Sequence, residues 1–439
     1  MTERKKPFAR SLVADERRLH SLNILLADYE PIVDLARDEA LLELKQPCRV
    51  YGTRDFADSR FYKSLTMSLG PVDATQPPPD GGGDVGGAAE PAVDGDAAGA
   101  YRPDAGSYFA TWACCLPVEG HTRSIVCDLQ RSTFAFIPNV VAEILELCKT
   151  RSVAEIYAHY DHQHDRAIDE YLAYLVAHDF GFYCAEPQRF PELSLDWRNP
   201  KPITNCVIDF DADTEQPLAS LSEQLSRMFC QAVELRFFRA ASAEELASCA
   251  AAFSDSTIRS ISLLAGDHPS LDRDGLEALL RRHKRIKHIA VHSTAGRNEV
   301  IRVDLHTTIR YTGEVVSSEA CCGQVSPRYF SPNVDAFTEA LQHNSCLSHK
   351  VSVDARGAIK NCPSMVRSFG DVRTTPLAQV VASEAFQAPW RITKDQVLVC
   401  QDCEFRYICH DCRAYVADPA QPLSKPAKCR YNPYEGRWE

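Results

Sequence analysis

The sequence predicts an α/β protein built around a parallel sheet. Apolar runs begin at Ile203, Val233, Ile258 and Ile286, about 25 to 30 residues apart. Stretches with apolar residues at helical spacing lie between them, at 218–229, 243–253 and 274–283. Strands alternating with helices in this way form βα units with right-handed crossovers. The final part of the chain behaves differently, because clustered cysteines and prolines replace the periodic apolar pattern.

A length of 439 residues allows two to four domains, each large enough to bury its own core. The net charge is −12, from 48 basic and 60 acidic residues, so the basic footprint of a nucleic-acid binder is missing. The N-terminal MTERKKPFARSL is basic but has no apolar h-region, so it does not read as a secretory signal. No run of about eighteen apolar residues exists to span a bilayer. A soluble, cytoplasmic protein without membrane or nucleic-acid partners is expected. Its eighteen cysteines are then thiols or metal ligands rather than disulfides.

Residues 1–70 form an extension with no recognisable motif, helical in spacing over Leu22–Glu30 and Ile32–Leu44 and broken at Pro31. Residues 71–106 hold seven acids against a single basic residue, Arg102, among Gly, Pro and Ala. Such a stretch cannot build a core and reads as a disordered linker. The unit at 107–195 opens with strand-like Ser124–Leu129 and Phe134–Ile137 around a turn, which suggests a hairpin. Three helices follow. The first opens at Pro138–Asn139, the second at a Ser152/Glu155 capping box, and the third covers about 165–178. Phe182–Cys184 can return as a strand or wing. His159, His162 and His164 suit no ordinary zinc spacing and read as solvated loop histidines.

Within 196–320 the βα units make an incomplete barrel, with a further strand expected around Val300–Leu305. Asp209, Asp211, Asp213 and Glu215 follow the first strand, at the rim where such sheets bind ligands. They read as a solvated acidic loop, with a cation or amine site as the sharper alternative. Cys206 stands alone within that first strand, and C-x3-C-x2-C occurs nowhere in the chain.

The densest chemistry is Cys400, Cys403, Cys409 and Cys412, spaced C-x2-C-x5-C-x2-C. Thiolates at this density can close on a metal with little loop-closure cost. Cys346 and Cys362 bracket Gly357 upstream, and Cys429 follows Cys412 after sixteen residues. Together with the flanks His343–Leu347, Ile359–Met365 and Cys429–Tyr434, this pattern resembles the SPASM domain, an auxiliary iron-sulfur module of radical SAM enzymes. The likeness is to the SPASM-domain peptide maturases of grasp-with-spasm systems and runs from about Tyr108 to the C-terminus.

That resemblance implies an α/β architecture in three parts. A PqqD-like winged-helix peptide-recognition domain (107–195) precedes a degenerate radical-SAM-like partial βα barrel (196–320) and a Cys-rich SPASM domain (321–439). It implies one or two 4Fe-4S clusters. Cys400, Cys403, Cys409 and Cys429 would hold one cluster, and Cys346, Cys362 and Cys412 the other. Cys322, of the Cys321-Cys322 pair, is the candidate fourth ligand. The chain departs from the pattern at Cys409/Cys412, where C-x2-C replaces the usual C-x3-C. The implied partners are a precursor peptide, bound through its leader, and an ATP-grasp ligase in RiPP biosynthesis. Without the radical SAM cysteine triplet, cleavage of S-adenosylmethionine is not expected. Two alternatives stay open: a zinc-stapled adaptor without catalysis, and a redox enzyme working on the peptide at the auxiliary clusters.

Overall fold

The computed structural model describes residues 106–211 and 215–439. The extension at 1–70, nearly all of the 71–106 linker, and Asp213 lie outside the described residues.

The first unit is a three-stranded meander backed by three helices. Its strands are β2 (Cys115–Val118), β3 (Ser124–Asp128) and β4 (Thr133–Ile137), and β1 (Tyr108–Thr111) lies apart from them. The helices are α1 (Asn139–Cys148), α2 (Val153–His159) and α3 (Asp165–Ala177). The expected hairpin forms, with Ser124 opposite Ile137 and Asp128 opposite Thr133. The Asp128 carboxylate accepts the Gln130 and Arg131 amides and shapes the turn. At α2, Ser152 and Glu155 cap each other's backbone amides as the capping box requires. The return strand β5 (Gly181–Cys184) pairs with β1, so it is no wing of the meander.

Alternation along β3 gives its sheet two buried faces. Val126 packs with Val141, Ile144, Ile156 and Leu172 on the helical side. Ile125 and Cys127 face the other way, against Phe405, Ile408 and Tyr431 near the C-terminus. The loop before β3 is pinned there too. Arg123 pairs with buried Glu404 at 2.9 Å, and His121 donates its amide to the Asp402 carbonyl. Gly120 permits this approach, because a Cβ there would lie 2.8 Å from the Glu404 Cβ.

The central sheet has eight strands. β6 (Asn205–Phe210), β7 (Ala232–Ala240), β8 (Ser260–Gly266) and β9 (Ile286–His292) run parallel in sequence order. Helices α4 (Leu218–Arg227), α5 (Ala243–Ala251) and α6 (Arg273–Arg282) connect them. The expected strand near 300–305 is β10 (Glu299–Arg302), an antiparallel edge on β11 (Thr308–Tyr311), which itself lies parallel to β9. On the opposite flank β12 (Lys350–Val353) runs parallel to β6, and β13 (Ile359–Lys360) closes that edge. The sheet thus continues past residue 320, into the cysteine-rich part of the chain.

Period-two alternation sorts the two faces of this sheet. Cys206, Ile208, Val233, Leu235, Ile261 and Leu263 pack against Leu221, Leu225, Leu246 and Leu276 of the helices. The inner face is polar. Asp209 lies on it, in β6 rather than in a loop, and is 1% exposed. Its carboxylate accepts two hydrogen bonds from the Arg236 guanidinium, at 2.7 and 2.8 Å. The solvated-loop reading therefore fails at Asp209, which lies within the strand, one residue before its end, in a buried ion pair. Among the described residues no helix is long and apolar enough to cross a membrane.

Candidate metal centres

Four cysteines from distant parts of the chain converge on one cavity of about 60 Å³. They are Cys322, Cys346, Cys362 and Cys412, and Asn205, Arg236 and Lys350 line the same space from the sheet's inner face. Local sequence explains each placement. Asn344 accepts the Cys346 and Leu347 amides, folding the turn that presents Cys346 just before β12. Gly357, at φ +89°, turns β12 back into β13, and Cys362 follows. Cys322 ends a short 3-10 turn, and Gly323 after it has φ +88°. A Cβ on Gly323 would lie 3.0 Å from the Cys412 sulfur, so a side chain there would crowd Cys412 as well as strain the positive φ. The neighbouring Cys321 points elsewhere and packs with Leu264, Ala290 and Val316.

The second group is Cys400, Cys403, Cys409 and Cys429. Cys400 and Cys409 each sense the charge of Cys429, and Cys403 that of Cys409, so the four share one neighbourhood. Cys409 is buried in the cluster that includes Phe405 and Ile408, with Cys403 and Cys429 packed against it. Val399 precedes Cys400 at φ 69°, a conformation that strains a β-branched residue by about 1–3 kcal/mol. One four-residue piece, Cys409-His410-Asp411-Cys412, links the two groups. Asp411 anchors it, accepting from the Asn344 side chain at 2.8 Å and from Arg413 at 2.9 Å.

Each group also contains a buried lysine. Lys350 Nζ lies 3.3 Å from the Cys346 sulfur, and Lys394 Nζ lies 3.2 Å from the Cys409 sulfur. Lys394 donates to the His410 carbonyl as well. Neither lysine stood out in the sequence, where nothing marks them among the other lysines.

The sulfurs are held apart. Among the described residues, the donors that come within 4.8 Å of one another as a trio are Cys114, Cys115 and Asp128, and neither cysteine group draws three sulfurs that close. A tetrahedral zinc with four thiolates needs sulfurs about 3.8 Å apart, given Zn–S bonds of about 2.3 Å. A cluster that distributes its thiolates over several irons accommodates a wider set. Four thiols in each group, with no trio drawn as close as a single zinc needs, are a donor set of the kind an iron-sulfur cluster takes.

The other sequence candidates are not gathered. His162 bonds Asp165 at 3.0 Å on the surface, and His159 and His164 sit beside Tyr160. Cys127, Cys148, Cys206 and Cys230 are buried in apolar clusters as small hydrophobes.

Burial pushes the Cys322, Cys400 and Cys412 thiols up to about 12 from an ordinary value of 9.0. Burial also raises Cys346 and Cys409, against the opposing pull of Lys350 and Lys394. A raised folded value means that these thiols contribute stability which is complete below the unfolded value and lost as pH rises toward the folded one. The metal-free chain should thus become steadily less stable above about pH 9, while metal uptake, which needs thiolates, strengthens over the same rise. Urea unfolding of chelator-treated protein across that range checks this, and a flat or rising midpoint would contradict it.

Residues 345–404 match the SPASM family, described as an iron-sulfur cluster-binding domain. Among curated proteins nothing matches. Two solved structures of SuiB from Streptococcus suis are similar at 10% identity. One is bound to S-adenosylmethionine, with 72% of this chain and 98% of that one covered and a TM-score of 0.29. The other is bound to the precursor peptide SuiA, with 74% and 100% covered and a TM-score of 0.27. The family match takes in Cys346, Cys362, Cys400 and Cys403, so this stretch of the chain is similar to an iron-sulfur cluster-binding domain.

Proposed function

We propose that the chain serves in the maturation of a ribosomally synthesised peptide, holding the precursor's leader on residues 107–195 beside two 4Fe-4S clusters. Cys322, Cys346, Cys362 and Cys412 hold one cluster, and Cys400, Cys403, Cys409 and Cys429 the other. The observation that carries this reading is the convergence of Cys322 with three SPASM-pattern cysteines around one cavity on the sheet's inner face. Bound there, the clusters supply one-electron transfer. The residues around them exclude water and fix the thiolates. An ATP-grasp ligase as partner belongs to the same proposal and rests on the resemblance of the cysteine flanks. Cleavage of S-adenosylmethionine has no support, since no cysteine triplet follows β6 and that strand holds Asp209, one residue before its end, in the pair with Arg236.

The test is iron, acid-labile sulfide and zinc content of protein purified without oxygen. Iron and sulfide in near-equal amounts support the proposal. Zinc without sulfide, even after reconstitution, overturns it and leaves the zinc-stapled adaptor.

The meander supplies the peptide-binding element, through an exposed strand edge that could add the peptide as a further strand. Ser124–Leu129 cannot receive a peptide strand, because β3 is paired on both sides. The outer strands are β2 and β4. Pro117 removes one backbone donor from β2, whereas β4 has all of its own. Among the described residues no backbone hydrogen bond ties the outer side of β4 to another element. Leader peptide added there as a fourth strand should slow hydrogen exchange at Thr133–Ile137. Protection confined to β2, or absent from both strands, would rule this edge out.

A further inference from the structure

The two cysteine groups share a feature that the ligand pattern does not require. Each contains one lysine, 7% exposed at Lys350 and 5% at Lys394. A buried ammonium normally costs several kcal/mol unless a counter-charge answers it. Among the described residues neither lysine forms an ion pair with a carboxylate, and both place Nζ on a cysteine sulfur instead. Their local settings are unrelated. Lys350 opens β12 and reaches into the cavity from the sheet's inner face, whereas Lys394 begins a 3-10 turn capped by Thr393. The same contact, built twice from different elements, points to the sulfurs as what the two ammonium groups serve.

We propose that Lys350 and Lys394 are positioning residues that set the reduction potentials of the two clusters, one lysine for each. This rests on the cluster reading above. Four thiolates make a cluster site net anionic, and reduction adds a further negative charge inside a low-dielectric region. A fixed cation in contact with one ligand stabilises the reduced state more than the oxidised one, and its N–H···S bond draws electron density from the thiolate. Both effects raise the potential, by net charge and by hydrogen bonding to sulfur. Arg236, at the Cys322 cavity, is already engaged by Asp209, whereas Lys350 places its Nζ directly on a cysteine sulfur.

The test uses the full chain loaded with iron and sulfide, with metal content measured first and midpoint potentials then read by spectroscopic redox titration. Lys350→Met should shift one cluster to a more negative potential and leave the other in place, and Lys394→Met should do the reverse. Each shift should reach about tenfold in the one-electron reduction equilibrium, which is about 59 mV. Lys→Arg at each position, which keeps the cation, should restore most of the shift, and Lys→Gln, which keeps a donor without charge, should not. Iron lost from the Met and Gln variants but kept in the Arg variants would also support a requirement for charge. Fully loaded Met variants with unchanged potentials overturn the proposal. So do shifts that the Arg variants share with the Met variants. Wild-type protein that takes up zinc but no iron or sulfide overturns the cluster reading itself, a result distinct from either.

Discussion

Cys412→Ala should remove about half of the iron and sulfide bound by the protein, and Cys409→Ala the other half. The two residues lie three positions apart on one short piece of chain, so a merely local disturbance would treat them alike. Their surroundings differ. Cys412 belongs with Cys322, Cys346 and Cys362 at the cavity beside the sheet, and Cys409 with Cys400, Cys403 and Cys429 around Lys394. Losing one of four thiolates makes a site incomplete and frees its metal, while the other site keeps all four ligands. Spectra of the two variants should therefore sum to the wild-type spectrum, and the double variant should hold little iron. Equal loss of the same spectral component from both would mean that the two cysteines serve a single centre. Cys322→Ala should follow Cys412→Ala, and Cys321→Ala should resemble wild type, which separates the adjacent pair.

Asp209→Asn should destabilise the protein by about 3–5 kcal/mol, a large share of the stability of an ordinary domain. The carboxylate and the Arg236 guanidinium are each almost wholly buried, at 2% and 3% side-chain exposure, and meet through two hydrogen bonds. Removing the carboxylate charge takes away the guanidinium's hydrogen-bonded counter-charge in a low-dielectric interior and leaves it the weaker pull of Glu234. Replacing both residues, as Asp209→Leu with Arg236→Met, should cost less than the sum of the single changes, because neither charge is then left behind. Urea unfolding at matched metal content measures this. A single-variant loss under about 1 kcal/mol would show that solvent reaches the pair.

Much of this organisation was legible in the sequence, and its limits have physical causes. The βα units were visible because their strands are buried on the helix side as continuous apolar runs, and the capping box at Ser152 is a purely local signal. The cysteine spacing singled out seven of the eight thiols proposed as ligands, since ligands on tight turns must lie close in sequence, and Cys322 entered only as the candidate fourth ligand from the Cys321-Cys322 pair. Cys322 is different. Its approach to Cys412 spans ninety residues of chain and depends on the positive φ of Gly323, neither of which any spacing encodes. Lys350 and Lys394 escaped notice for the same reason, since their partners are set by tertiary packing. The central position of β3 was missed because a hairpin signal identifies two strands and is silent about a third. Asp209 looked like part of a solvated acidic run, and only its pairing with Arg236 in the next strand takes it indoors.

The meander lies between helices on one side and the loop carrying Cys403 and Cys409 on the other. That loop has little regular structure of its own, so on the proposed reading a bound cluster would give it shape. The sheet resting on that floor would then be fully shaped only once the cluster is in place. Delivery of iron and sulfide would act as a licence for substrate recruitment. Newly made chains without clusters would stay out of competition for the precursor, and the peptide would reach only carriers already equipped to move electrons.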